Sequence, residues 1–190
     1  YRSEALRAEW GAAPGAPVLI CVGRLAAEKN LDTVIEAFAA VQQMDPRARC
    51  VLVGDGPLRE SLAGRVPGLI LAGQRKGEDL ARHYASGDLF VFASLTETWG
   101  NVTGEAMASG LPVIATRHAG IADVVKDDER GLLCEEHDIE AMATNMVRMI
   151  DSPQKARAMG LAGRAYVEQH HRVEVQVANL QQILERAAKR

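Results

Sequence analysis

Two glutamates flank a short turn, and their spacing suits a ligand that carries both hydroxyl and phosphate groups. Glu97 and Glu105 lie on either side of Gly100. A carboxylate accepts hydrogen bonds from neighbouring hydroxyls, and glycine lets the backbone approach a ligand closely. Asn101 and Val102 are predicted to open a helix, whose unpaired N–H groups favour an anion. Taken alone, Glu97 is better explained as a solvated loop acid and Glu105 as a complement to the helix dipole, but the whole segment favours a ligand site.

Two cations occupy the corresponding position after the first predicted strand. Arg24 follows that strand directly, and Lys29 lies just before the next predicted helix. Two positive side chains beside a helix start can hold a diphosphate. Taken alone they are better explained as ordinary loop charges, for instance paired with Glu28, because loop cations are common. Together with the two glutamates they predict a site for a nucleotide joined to a sugar.

The elements that must position these residues alternate between strand and helix from Pro17 onward. Short continuous apolar runs are typical of strands buried on both faces, and apolar residues at helical spacing predict helices between them. The predicted strands are residues 18–22, 50–53, 69–72, 89–93, 112–115 and 131–134, and the predicted helices include 101–109, 138–150, 153–169 and 173–188. This alternation predicts an α/β fold, a Rossmann-like three-layer sandwich with a parallel sheet. Such sheets bind ligands beyond the carboxyl ends of their strands, where the charged residues lie.

Composition limits the classes of protein that fit. The 190 residues include 47% apolar and 25% charged side chains, the balance of a globular domain. The net charge of −3 argues against a general nucleic-acid-binding surface. Cys21, Cys50 and Cys134 form no C-x-x-C pair, which favours reduced thiols and a cytoplasmic protein. No Asp-x-Asp motif is present, so no metal site is predicted.

These motifs in their order resemble the retaining glycosyltransferases of family four. The resemblance extends from about Pro17 to the end of the chain. Its matching segments are G-R-L at 23–25 with Lys29, V-G-D-G-P at 53–57, and Glu97 with Glu105 and A-M-A-S-G-L-P-V-I-A at 106–115. Members of this family have the GT-B architecture of two facing Rossmann-like domains. The resemblance implies that this chain is the C-terminal half of a GT-B fold.

The resemblance assigns the reacting groups to three residues. Arg24 and Lys29 would hold the donor diphosphate and take the place of a divalent metal, so that catalysis is metal-independent. Glu97 would bind hydroxyls of the transferred sugar. These three residues are the expected catalytic residues.

The resemblance also implies roles for the residues that follow. Gly100, Asn101 and Val102 would contact the sugar and phosphate through their backbone. Glu105 would bind the ribose of the nucleotide. With the three catalytic residues they form the expected substrate-binding set.

Three positions depart from the family pattern. Trp99 replaces the more usual phenylalanine, Gly104 stands where an aliphatic residue is common, and Asn30 stands where glycine is frequent. Asn30 is also the predicted N-cap of the helix that follows it. None of these changes removes a charged contact.

The activity implied is transfer of a hexose from a nucleoside-diphosphate sugar to an acceptor hydroxyl, with retention at the anomeric carbon, in glycan or glycolipid biosynthesis. Residues 96–103 look most like mannosyltransferases that use GDP-mannose, and UDP sugars stay open. No cofactor is expected besides this donor substrate. A cytoplasmic location is expected, with peripheral contact at the inner face of a membrane through the full-length enzyme.

The domain organisation follows from the same resemblance. Residues 1–16 are expected to be a leading segment or linker, and residues 17–172 the nucleotide-sugar-binding domain. The helix at 173–190 is expected to pack towards an N-terminal acceptor domain that is missing from this chain; the alternative is that its apolar stripe lies against its own domain. The chain alone is therefore expected to bind nucleotide weakly and to be inactive in transfer.

Other functions compete with this interpretation. A nucleotide-sugar epimerase can have the same architecture, and so can a relative of glycogen phosphorylase, although nothing marks the lysine that pyridoxal phosphate needs. A non-catalytic nucleotide-binding module is a third alternative. A dehydrogenase is disfavoured because no G-x-G-x-x-G follows the first strand.

Overall fold

A six-stranded parallel sheet organises the computed structural model, which describes residues 1–97 and 100–188. The strands are β1 (Val18–Val22), β2 (Arg49–Val53), β3 (Leu69–Gly73), β4 (Leu89–Phe92), β5 (Val113–Thr116) and β6 (Gly131–Cys134). Their order in the sheet is β3-β2-β1-β4-β5-β6, with every neighbouring pair parallel. The order reverses between β1 and β4, so right-handed crossovers place helices on both faces. The predicted Rossmann-like fold is confirmed.

The helices connect these strands in chain order. They are α1 (Glu4–Glu9), α2 (Leu31–Met44), α3 (Arg59–Leu62), α4 (Gly77–Ser86), α5 (Asn101–Ala108), α6 (Ala119–Ala122), α7 (Ile139–Ile150), α8 (Pro153–His170) and α9 (Val173–Ala188). A 3-10 turn at Ala27–Lys29 precedes α2. Trp99 lies outside the described residues, and so do the last two residues of the predicted 173–190 helix.

The core lies between the sheet and its helices. Strands β1, β4, β5 and β6 are buried along their whole length, which explains why they lack an alternating polar face. Phe38 of α2 and the three methionines of α7 at helical spacing, Met142, Met146 and Met149, fill one side. All three cysteines are free and buried. Burial raises the pKa of the Cys21 thiol to about 12, so that side chain is an inert part of the core.

Residues 1–16 are attached to the sheet through a buried arginine. Arg7 of α1 is 1% exposed. Its guanidinium donates to the carbonyl oxygens of Ala16 at 2.6 Å and Ser86 at 2.8 Å, and it pairs with Asp88 at 3.1 Å. The leading segment therefore packs against the amino ends of the strands. At the other end of the chain, Leu184 of α9 is exposed, and the packing of α9 on a preceding domain stays a prediction.

Two glycines let the loop after β2 lie directly on the loop after β1. A Cβ atom at Gly54 would lie 1.8 Å from the carbonyl oxygen of Gly23, and one at Gly56 would lie 2.4 Å from that of Leu25. The two loops are also joined by a hydrogen bond from Leu25 N to Asp55 O, at 2.9 Å. The G-D-G-P segment therefore holds the loop after β1 in place.

Replacement of Gly54 by alanine should destabilise the fold strongly. The φ of Gly54 is +149°, and its added Cβ would collide with backbone that cannot rotate away. We expect Gly54→Ala to lower the free energy of unfolding by about 2–4 kcal/mol, measured by guanidinium denaturation.

Gly64 offers a matched control. Its φ is +72°, but a Cβ there would meet nothing within 4 Å. Gly64→Ala should therefore cost only the strain of a positive φ, about 1 kcal/mol. Equal losses in the two variants would refute the close-approach explanation.

Candidate functional site

A polar cavity of about 330 Å³ opens at the carboxyl ends of β1 and β4, where the strand order reverses. Doubly wound sheets bind their ligands at this position. The cavity is lined by Val22, Gly23, Arg24, Lys29, Phe92, Glu97, Gly100, Asn101 and Val102. It therefore brings together every predicted site residue except Glu105. Their roles in binding stay predictions.

An ion pair crosses this cavity. Lys29 Nζ lies 2.5 Å from Glu97 Oε1 and 3.5 Å from Ser94 Oγ. The side chains of Lys29 and Glu97 are 20% and 14% exposed, so the pair is screened less than a surface pair. A lysine ammonium has three donors, so Lys29 can keep Glu97 as a partner and still donate to a bound anion.

The start of α5 also lines this cavity. Gly100 has a φ of +62° and precedes the helix without a capping side chain. The helical ladder begins when Thr103 N and Gly104 N donate to Gly100 O, at 2.8 and 3.1 Å. The N–H groups of Asn101 and Val102 precede that ladder, so they belong to the end of the helix that favours negative charge.

The two cations lie in the loop that leads into α2, and the start of a second helix, α5, lines the same cavity. Arg24 and Lys29 come before α2, but the first residues of α5 line the cavity with them. Asn30 occupies the predicted N-cap position of α2, yet its side chain makes no capping hydrogen bond. Its backbone is left-handed, with φ +48° and ψ +46°, whereas side-chain capping needs an extended residue. Asparagine tolerates this conformation better than most residues, which fits a position where glycine is frequent.

Arg24 stands between two cavities. It is exposed, and it also lines a second cavity of about 410 Å³ at the ends of β1, β2 and β3. Gln74 and Arg75, which follow β3, line that second cavity. The guanidinium of Arg75 already donates a hydrogen bond of 2.7 Å to Ala72 O, so it is bound to the backbone three residues before it.

Glu105 lies one turn into α5, on a different side of the helix start. It lines a third cavity, of about 520 Å³, which shares Gly100 and Asn101 with the first. Its Oε2 accepts a hydrogen bond of 2.9 Å from Tyr84 Oη. Tyr84 is not among the predicted site residues, because a buried tyrosine needs a partner for its hydroxyl but its sequence position does not specify which.

A further cleft lies away from the predicted site residues. A larger cleft of about 750 Å³ opens at the amino edge of the sheet, beside Pro17, Asp88 and Pro112, and contains none of the predicted site residues. Within residues 1–97 and 100–188, no group of three or more His, Cys, Asp or Glu side chains could hold a metal ion. No helix in this part of the chain is long and apolar enough to cross a membrane.

Comparison with known proteins settles the family. The sequence model of glycosyl transferases group 1 matches residues 16–152, which include all of the predicted site residues. The chain belongs to the group 1 glycosyl transferases.

Two similar proteins are longer than this chain. The chain is 35% identical over 176 residues to the sulfoquinovosyl transferase SQD2 of Arabidopsis thaliana, covering 90% of this chain and 34% of that protein. It is 37% identical over 171 residues to a GDP-mannose-dependent alpha-mannosyltransferase of Mycobacterium tuberculosis, covering 87% and 43%. The chain thus spans less than half the length of these two relatives.

A solved structure agrees with the fold. Anabaena Alr3699/HepE in complex with UDP-glucose superposes with a TM-score of 0.81 at 26% identity, covering 98% of this chain and 52% of that one. This group 1 glycosyl transferase therefore shares the fold of about half of Alr3699/HepE, whose solved structure contains UDP-glucose.

The ion pair across the cavity should contribute measurably to stability. A double-mutant cycle with Lys29→Met and Glu97→Gln should give a coupling energy of about 1–3 kcal/mol, because both charges are largely shielded from water. The free energies of unfolding of the four proteins measure this coupling. The exposed pair Arg164–Glu168 on α8 is the control, and its coupling should be clearly smaller. If the two cycles gave equal couplings, the buried pair would have no special role.

Proposed function

We propose that this chain is the donor-binding domain of a retaining glycosyltransferase of family four. The reaction moves a hexose from a nucleoside-diphosphate sugar to an acceptor hydroxyl. The observation that carries the proposal is the cavity in which Arg24, Lys29 and Glu97 meet the start of α5. Cations, a carboxylate and helix N–H groups within one cavity match the phosphate and hydroxyl groups of such a donor.

Different residues of the cavity bind different parts of the donor. Lys29 and Arg24 bind the diphosphate, and the N–H groups of Asn101 and Val102 add donors without a net charge. When the bond between the anomeric carbon and the diphosphate oxygen breaks, negative charge builds on the leaving group. Fixed cations and helix-end dipoles stabilise that charge, and this is the role that a divalent metal would otherwise take. Glu97, held by Lys29, accepts hydrogen bonds from sugar hydroxyls.

Glu105 extends the site towards the nucleotide. Its carboxylate accepts hydrogen bonds from the two ribose hydroxyls, because it lies one turn from the phosphate-binding end of α5. Retention of configuration requires the acceptor to approach the face of the sugar from which the diphosphate leaves. The acceptor would come from a second Rossmann-like domain, since the chain spans only 34% and 43% of the relatives described above.

GDP-mannose is the favoured donor. The mycobacterial relative is named as GDP-mannose-dependent, and its 37% identity supports a shared donor class. UDP sugars are the alternative, supported by the UDP-glucose complex of Alr3699/HepE. The acceptor belongs to glycan or glycolipid biosynthesis, which places the full-length enzyme in the cytoplasm beside the inner face of a membrane.

Nucleotide binding tests this proposal directly. Calorimetric titration and thermal shift with GDP, UDP, ADP and their sugars should show that GDP stabilises the chain and that GDP-mannose does so more strongly. Arg24→Ala should weaken GDP binding roughly tenfold or more, the loss expected for a charge-assisted hydrogen bond. Glu105→Ala should weaken it by a similar factor. Arg82→Ala and Glu9→Ala, which remove exposed charges of α4 and α1, are the matched controls and should bind like wild type.

The outcomes separate the competing functions. No stabilisation by any nucleotide would refute the donor site. Equal binding of GDP and GDP-mannose would favour a module that recognises only the nucleotide. Release of an epimerised sugar by a protein as long as the relatives described above would favour an epimerase.

A further inference from the structure

Tyr84 is a buried tyrosine whose hydroxyl reaches the candidate site from a neighbouring helix. It lies near the end of α4 and is 2% exposed. Its ring packs at 5.9 Å, tilted by 47°, against the ring of Phe90 in β4. The phenol is therefore held by the core and has little freedom to turn towards water.

The hydroxyl has two acceptors within reach. Tyr84 Oη lies 2.9 Å from Glu105 Oε2 and 3.3 Å from the carbonyl oxygen of Val102. A phenol carries a single proton, and the shorter contact is to the charged acceptor, so the proton is directed at Glu105. Burial and the Glu105 carboxylate both raise the pKa of Tyr84 above its usual value, which keeps the hydroxyl protonated as a donor.

This contact restrains a side chain that would otherwise be free. Glu105 is an exposed residue of α5, and exposed glutamates sample many rotamers. With Oε2 bound to a core residue, the carboxylate keeps Oε1 as an acceptor for a ligand in the cavity that Glu105 lines with Gly100 and Asn101. A pre-oriented carboxylate loses less side-chain freedom when it binds a ligand.

We propose that Tyr84 is a positioning residue of the donor site, which aims the Glu105 carboxylate at the two hydroxyls of the nucleotide ribose. The inference rests on the proposed function, since it takes Glu105 as the ribose-binding group. Tyr84 itself touches no ligand, because it acts through Glu105 from inside the core.

The test compares nucleotides with and without ribose hydroxyls. The 190-residue chain and its Tyr84→Phe variant are titrated with GDP and with 2′,3′-dideoxy-GDP, and in parallel with the two uridine analogues. Tyr84→Phe keeps the ring and removes only the hydroxyl. We expect it to weaken binding of the ribonucleotide roughly tenfold and to leave binding of the dideoxy nucleotide within about twofold.

A second comparison shows whether the effect passes through Glu105. In the Glu105→Ala background, Tyr84→Phe should change ribonucleotide affinity by less than about twofold, because the two residues act as one unit. Tyr166→Phe, which changes a partly exposed tyrosine of α8, is the matched control and should bind like wild type. Melting temperatures of all variants check the fold.

The results distinguish this inference from the proposed function. Equal weakening for both kinds of nucleotide would mean that Tyr84 is merely structural and would overturn the inference. An unchanged ribonucleotide affinity in Tyr84→Phe would overturn it as well, while leaving the donor site intact. If wild type bound no nucleotide at all, the proposed function itself would fail.

Discussion

The ion pair between Lys29 and Glu97 joins two loops that lie 68 residues apart in the chain. Their meeting depends on the parallel pairing of β1 with β4, since each loop leaves the carboxyl end of one of these strands. All other parts of the site are arranged around this contact. The start of α5 follows the Glu97 loop, and Arg24 precedes Lys29 in the loop after β1. A change in the pairing of the two strands would separate Arg24 and Lys29 from Glu97 and the start of α5.

The same pair balances the charges at this partly buried position. Two like charges or one unpaired charge there would be costly, whereas a lysine and a carboxylate neutralise each other. In the proposed donor complex, a diphosphate would add negative charge beside Glu97, and the cations and helix N–H groups that line the cavity would offset the repulsion. The close contact between the loops after β1 and β2 contributes by supporting the Arg24 loop, because Gly54 and Gly56 let the two backbones touch there.

Much of this arrangement could be predicted from residue patterns. Buried strands are continuous apolar runs, so β1 and β6 have the predicted bounds. The site residues follow strands, and parallel strands end at one edge, so the gathering of Arg24, Lys29 and Glu97 also follows from the pattern. The missing side-chain cap of α2 could not be predicted this way, because the left-handed backbone of Asn30 is a three-dimensional property. The hydrogen bond from Tyr84 to Glu105 joins two helices, and no local periodicity encodes such a contact.

Arg7, the buried arginine of α1, limits how far the protein can be shortened at its amino end. Similarity to the family begins at residue 16, but Asp88 at the start of β4 binds both Arg7 and the backbone N–H of Val18. A fragment trimmed to the region of similarity would leave that carboxylate without its arginine, and the carbonyl groups of Ala16 and Ser86 without their donor. The unit that folds is therefore longer at its amino end than the unit that family similarity delimits, and the short first helix belongs to it.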